Sequence, residues 1–273
     1  MTGSTRHVTR DKRHIPTTPA VRTRPQTQPV AVITGGASGI GRAIAELCGS
    51  RGYRVAVCSR SARDPSLPEA VMHRSLDVRS KDAQRQFVQE VVRRFSRLDV
   101  YVNCAGVSRW RALDDIDEAC VREVIETSVL GTLWGCAAAA SVMSAGGCIV
   151  NISSLAGKRG SANNSAYCAG KFAVNGITQA LAKELGPRGI RVNAVCPTLV
   201  ETERVMAALS EPASPVQGGD VKAYVVSFAS SQTALGRLPT ALEVAEVVVF
   251  LASPAASAVT GQCLNVDCGT LPQ

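Results

Sequence analysis

The stretch VAVITGGASGIGRAIAELCGS, residues 30–50, decides the fold. Val30 to Thr34 form a short apolar, β-branched run of the kind that builds a buried strand. From Ile40 onward, Ala43, Ile44 and Leu47 return at helical spacing. Gly35, Gly39 and Gly41 stand between the two. Glycines in that place let a backbone turn sharply and close on a phosphate at a helix N-terminus. They would also serve a tight strand-to-helix turn in any α/β protein, so the rest of the chain has to decide between the two.

The pattern continues outward. VAVIT (30–34), RVAVC (54–58), VYVNC (100–104), GCIVNIS (147–153), IRVNAVC (190–196) and CLNVD (263–267) read as strands. Longer segments with helical apolar periodicity separate them, including residues 114–145 and 165–186. Alternating strands and helices predict a single Rossmann-type α/β domain, a doubly wound parallel sheet with helices on both faces. The near-uniform apolarity of the strands agrees, because strands covered on both faces need not alternate. Between the second and third strands, Pro65 and Pro68 predict a reduced helix. Residues 203–240 lack a clear period and are expected to form a mobile lid.

Composition bounds the function. The 273 residues carry 45% hydrophobic and 19% charged side chains, and no apolar run approaches the ~20 residues of a membrane helix. The net charge is +8, but Arg6, Arg10, Lys12, Arg13, Arg22 and Arg24 face only Asp11 in the first 29 residues. Residues 1–28 therefore read as a disordered basic tail and residues 29–273 as the domain. The tail lacks the apolar core of a secretory signal, and no aromatic or structured motif accompanies its charge, so neither nucleic acid nor membrane is expected as a partner. Ten cysteines without a C-x-x-C pair, several inside apolar runs, fit small buried hydrophobes rather than a metal site. A cytoplasmic location follows as the expectation; the Arg-rich tail keeps an organelle matrix as its alternative.

Tyr167 and Lys171, in NSAYCAGKFA (164–173), stand one helical turn apart on one face. A cation beside a phenol favours phenolate and draws the tyrosine toward the range useful for general acid–base work. The same spacing also occurs on ordinary half-exposed helix faces.

With these motifs assembled, residues 29–270 resemble the short-chain dehydrogenase/reductase family, closest in pattern to its 3-oxoacyl-carrier-protein reductase type. Thr34-Gly35-Gly36-Ala37-Ser38-Gly39-Ile40-Gly41 matches its T-G-x-x-x-G-I-G, and Asn103-Cys104-Ala105-Gly106 matches its N-N-A-G. Ser154 lies thirteen residues before Tyr167, and Tyr167-x-x-x-Lys171 completes the family's triad. The resemblance implies that Tyr167 exchanges a proton with a substrate oxygen, that Lys171 lowers its pKa and holds the nicotinamide ribose, and that Ser154 polarises the oxygen. It implies cofactor contacts at Gly35, Ser38, Gly39, Ile40 and Gly41, at Asp77 and Val78 after the third strand, and at Asn103, Ala105 and Gly106. Pro197, Val200 and Thr202 after the sixth strand, with Tyr167 and Lys171, would border the nicotinamide. The small residues around the pair are expected to bring their helix close to the cofactor.

Cofactor choice is expected at the end of the second strand, where Ser59 replaces the aspartate common in the family's NAD users and Arg60 follows. An arginine suits a 2′-phosphate and a serine does not repel it, so NADP(H) is the expected cofactor. Two departures stand out. Ser128 occupies the position of the family's fourth catalytic residue, an asparagine that holds a water in a proton relay, and Thr198 replaces the glycine after Pro197. Trp110 is a candidate for the substrate pocket or for plain packing.

An NADP(H)-dependent oxidoreductase that interconverts a carbonyl and a secondary alcohol, on 3-oxoacyl or related ketones, is the first expectation. A catalytically silent dinucleotide-binding scaffold or redox sensor is the alternative, kept alive by Ser128. The resemblance implies a homotetramer or homodimer, and an apolar surplus at Val129, Leu133, Ala137 and Ala140 points the same way.

Overall fold

The computed structural model describes residues 28–272. Apart from Gln28, the basic tail expected over residues 1–28 lies outside the described residues. Seven strands, β1 (Val30–Thr34), β2 (Arg54–Ser59), β3 (Met72–Ser75), β4 (Val100–Asn103), β5 (Cys148–Ile152), β6 (Arg191–Pro197) and β7 (Cys263–Val266), form one sheet in the order 3-2-1-4-5-6-7. All pairs are parallel, with Ala31 opposite both Val55 and Val100. The order reverses between β1 and β4, so the crevice at their C-terminal ends is where a doubly wound sheet receives a ligand.

Each strand divides its apolar residues between two cores. Ala31, Ile33, Val55, Val57, Val100, Val102 and Val150 point to the side covered by α1 (Gly39–Ser50) and α8 (Ala241–Ala252). Val30, Val32, Ala56, Tyr101, Ile149 and Val192 point to the side covered by α2 (Lys81–Phe95), α4 (Gly131–Ala140) and α5 (Ser165–Leu185). Val30 to Ile33 are fully buried, which explains a run without polar alternation. Each such side chain contributes about 1.5–3 kcal/mol when buried.

Three segments depart from the sequence pattern. No helix forms between β2 and β3. There Arg63 donates to the carbonyls of Val71, Leu67 and Pro68 at 2.7, 3.0 and 2.7 Å, and Leu67 and Val71 enter the core. The single helix expected over 114–145 is shorter and interrupted. It starts as α3 (Glu118–Ile125), where the Asp117 side chain caps the amide of Cys120. It then widens to a π turn at Glu126–Leu130 and continues as α4. Ala140 is a core residue, so it does not belong to an apolar surplus; Val129 and Leu133 are half-buried and Ala137 is exposed. Residues 203–240 hold two helices, α6 (Glu203–Leu209) and α7 (Val221–Gln232). Among the described residues no helix is long and apolar enough to cross a membrane.

Candidate active site

Two adjoining cavities open at the C-terminal edge of the sheet. The larger, about 770 Å³, runs from the Gly-rich turn to the start of α5 and is bordered by Gly35, Ser38, Gly39, Ile40, Gly41, Arg60, Gly106, Ser154, Tyr167, Lys171, Pro197, Thr198, Val200 and Thr202. The smaller, about 40 Å³, is lined by Ser59, Asp77, Val78 and Ala105 and shares Gly35, Ser38, Arg60, Gly106, Val107 and Arg204 with the first.

The Gly-rich turn is packed against its surroundings through backbone. A Cβ at Gly41 would stand 2.3 Å from the carbonyl oxygen of Gly35. Gly35 itself has φ +67°, and a Cβ there would stand 3.0 Å from Ala105 Cα. Thr34 Oγ1 ties the same two loops together, accepting the amides of Cys104 at 3.0 Å and Ala105 at 3.1 Å. The Ser38 side chain makes no capping bond, which leaves the first amides of α1 available to a ligand.

Ser154 leaves the end of β5 and begins a single 3₁₀ turn, its hydroxyl accepting the amide of Ala156 at 3.1 Å. Lys171, on the next turn of α5, is 6% exposed. Its ammonium donates 2.8 Å to the Ile152 carbonyl and lies 5.7 Å from the Tyr167 ring centre. Burial draws the Lys171 pKa down to about 8. Burial pushes the Tyr167 phenol up, with the Cys168 thiol adding to it and the Ser154 side chain opposing it; the lowering expected from Lys171 does not appear in that balance. Gly170, one of the small residues of this helix, faces Ser128 and Val124 rather than the cavity, so its smallness serves packing on α3.

Ser59 Oγ donates to the Ser61 carbonyl at 3.2 Å and lies 2.9 Å from His73 Nε2 on β3. Asp77 accepts the amide of Arg79 at 2.9 Å and its guanidinium at 2.7 Å, which holds the carboxyl below its ordinary range.

Three candidates sit elsewhere. Asn103 lines neither cavity; its side chain turns inward and donates to Asn151 Oδ1 at 2.9 Å, and Asn151 donates to Thr178 Oγ1 at 2.9 Å. Polar side chains at the buried ends of adjacent strands satisfy one another there, and nothing in the N-C-A-G pattern separates that duty from ligand binding. Ser128 lies in the π turn, 1% exposed, its hydroxyl without a protein partner. Trp110 does not border the cavity; its neighbours Ser108 and Arg109 do, while the Trp110 amide donates to Glu211 at 2.8 Å. Residues that sequence reasoning missed are Arg42, Arg109, Arg204 and Glu211, all on the larger cavity. Glu211 also accepts from Arg111 at 3.0 Å, pinning the end of α6 to the loop after β4.

This geometry coincides with a family-level match. The family model described as enoyl-(acyl carrier protein) reductase matches residues 35–270. The chain belongs to the short-chain dehydrogenase/reductase family. Among its relatives, L-2,3-butanediol dehydrogenase of Corynebacterium glutamicum is 36% identical over 258 residues, 89% of this chain and 98% of that one. The ligand-free aldohexose dehydrogenase of Thermoplasma acidophilum superposes with a TM-score of 0.81 at 31% identity, covering 90% of this chain and 98% of that one. A variant of actinorhodin polyketide ketoreductase with NADPH superposes at 0.80 with 35% identity, covering 89% and 97%. These relatives make this short-chain dehydrogenase/reductase an oxidoreductase acting between carbonyl and alcohol, of the 3-oxoacyl reductase type. Its Rossmann-like sheet and its use of a nucleotide cofactor belong to the family. Among the described residues no cluster of His, Cys, Asp or Glu could hold a metal ion.

Proposed function

We propose that the protein is an NADP(H)-dependent reductase of ketones, 3-oxoacyl compounds or related substrates, working through Ser154, Tyr167 and Lys171. The observation that carries this reading is that Ser154, Tyr167 and Lys171 border one cavity that continues to the Gly-rich turn. A phenol and a hydroxyl on the wall of one cavity can both reach a single substrate oxygen, one giving the proton and the other polarising the bond.

A dinucleotide fits the residues present, because the Gly35–Gly41 turn admits only backbone at its closest approach and Arg60 borders the cavity beside Ser59 without a hydrogen bond or ion pair to a described residue. When bound, it supplies the hydride. The chain's own residues do the remainder: Tyr167 delivers a proton to the carbonyl oxygen, Ser154 steadies the charge that grows on it, and Lys171 holds its ammonium 5.7 Å from the Tyr167 ring. In the oxidative direction Tyr167 takes the proton back. Ser59 and Arg60 would receive the 2′-phosphate, with Asp77 and Val78 beside the adenine.

Steady-state assays with 3-oxoacyl thioesters, diketones, sugars and steroids, each with NADPH and NADH, test the reading. Reduction of at least one ketone class with NADPH favoured is expected, and uptake of dinucleotide without turnover of any carbonyl compound would replace it with the silent scaffold. That second reading draws on Ser128, whose buried hydroxyl has no protein partner where the family keeps an asparagine. The half-buried Val129 and Leu133 and the exposed Phe172 on α5 support a homotetramer or homodimer built on these helices.

A further inference from the structure

The two cavities meet along a short seam formed by Gly35, Ser38, Arg60, Gly106, Val107 and Arg204. Five of these lie on the Gly-rich turn, the end of β2 or the loop after β4. Arg204 alone comes from the other wall, the second residue of α6, carried by a loop whose Thr202 packs on Gly39. A ligand that occupies both cavities must cross this seam, between the Gly-rich turn and Arg204.

The arginines around the seam are unequal. Arg42 is held by Glu46 at 2.7 Å and by Ser66 at 2.7 Å. Arg109 pairs with Glu123 at 3.2 Å, and Arg111 with Glu211 at 3.0 Å. The Arg60 and Arg204 guanidinium groups make no hydrogen bond or ion pair with any described residue. Of the acids on the two cavities, Asp64 is engaged with Ser66 and Arg42 and Glu211 with Arg111 and the Trp110 amide, Asp77 feels the Arg60 charge, and Glu201 and Glu203 border the larger cavity beside Arg204 without an ion pair to it. Arg204 borders both cavities, so it stands on the cleft. Two guanidinium groups without a hydrogen bond or ion pair in one concavity can each receive an anionic centre of a ligand.

We propose that Arg204 clamps the diphosphate bridge of the dinucleotide from the side opposite the Gly-rich turn. This rests on the dinucleotide reading above, in which Arg60, at the end of β2, answers the 2′-phosphate. The diphosphate is the middle of a dinucleotide and the seam is the middle of the double cavity. Because Arg204 belongs to α6, and α6 is pinned at its far end through Glu211, the same contact fixes the helix that walls the substrate cavity. Cofactor then organises the substrate site before substrate arrives.

Binding by calorimetry separates the roles, using NADPH, NADH, ADP-ribose and 2′-AMP against the unmutated chain, Arg204→Gln, Arg204→Lys and Arg60→Ala. Arg204→Gln is expected to weaken NADPH, NADH and ADP-ribose by a common factor of roughly 10 to 100 and to leave 2′-AMP, which has no diphosphate, unchanged. Arg204→Lys should recover part of the loss. Arg60→Ala should weaken NADPH and 2′-AMP only. Arg204 is exposed, so melting without ligand should not change. A loss in Arg204→Gln confined to NADPH and 2′-AMP would assign it to the 2′-phosphate and overturn the clamp, as would unchanged affinities. If the unmutated chain binds neither dinucleotide, the functional reading fails first and the clamp falls with it.

Discussion

The Lys171 ammonium donates to the main-chain carbonyl of Ile152 at 2.8 Å, at the last residue of β5. A cation 6% exposed and held by one carbonyl is poorly compensated, which is why burial draws its pKa down to about 8. Below that pH it stays charged and costs stability; the cost is relieved as pH rises from about 8 toward the unfolded value near ~10.4. Lys171→Met at neutral pH should therefore melt no lower than the unmutated chain, while dinucleotide affinity and turnover both fall. A melting point several degrees lower would make Lys171 a structural residue first.

Gly41 offers a sharper structural test. A Cβ there meets the Gly35 carbonyl oxygen at 2.3 Å, and backbone cannot step aside as a side chain can. Gly41→Ala should cost about 1–3 kcal/mol of stability and weaken dinucleotide binding. Gly49, in the same helix, has nothing within 4 Å of its Cβ direction. Gly49→Ala should raise stability by about 0.5–1 kcal/mol. Equal melting points for the two variants would mean that the turn opens freely.

The strands, the Gly-rich turn and the Tyr167/Lys171 face were legible because each rests on local pattern: β-branched runs, glycines between elements, a four-residue helical repeat. The π turn at Glu126–Leu130 was not, since one turn of wider helix leaves the apolar spacing almost unchanged. It is settled by contacts from afar, Gly131 against Val78 and Ser128 against Gly170. The loop over 60–71 shows the same limit from the other side. Its prolines pointed to a reduced helix where none forms, and only the folded chain brings the Arg63 guanidinium to three carbonyls. Arg204 is invisible in sequence because an unpaired arginine in a first helical turn reads as solvated.

The proposed cofactor preference rests on two neighbours: Arg60, whose guanidinium makes no hydrogen bond or ion pair with a described residue but whose charge Asp77 feels, and Ser59, oriented by the Ser61 carbonyl and by His73. Arg60→Ala should weaken NADPH about ten- to a hundred-fold with little change for NADH. Ser59→Asp adds repulsion and should invert the preference. Equal affinity of the unmutated chain for the two dinucleotides, measured by fluorescence titration, would sink the assignment.

Burial also sets the alkaline limit. The thiols of Cys48, Cys58, Cys104 and Cys136 are pushed up to about 12, against about 8.5 in an unfolded chain. Between those values the unfolded chain sheds protons that the folded one retains, so stability is full below about pH 8.5 and falls as pH rises through the window. Under reducing conditions the melting temperature should drop by at least about 5 °C between pH 8 and pH 10.5. A flat profile over that range would mean that these thiols ionise in place.

The decisive chemical test is at Tyr167. Tyr167→Phe keeps the ring, its place on α5 and its position 5.7 Å from the Lys171 ammonium, and removes only the hydroxyl. The substitution should leave dinucleotide affinity and melting temperature close to unmutated values. Turnover should fall by about 10²–10⁴, the range for losing a general acid–base. Ser154→Ala should fall less, because it removes the polarising donor and leaves the proton source. Combining the two should add little to Tyr167→Phe alone, since groups that share one substrate oxygen act as a unit. Near-full turnover by Tyr167→Phe on a ketone that the unmutated enzyme reduces would take the proton donor away from this residue.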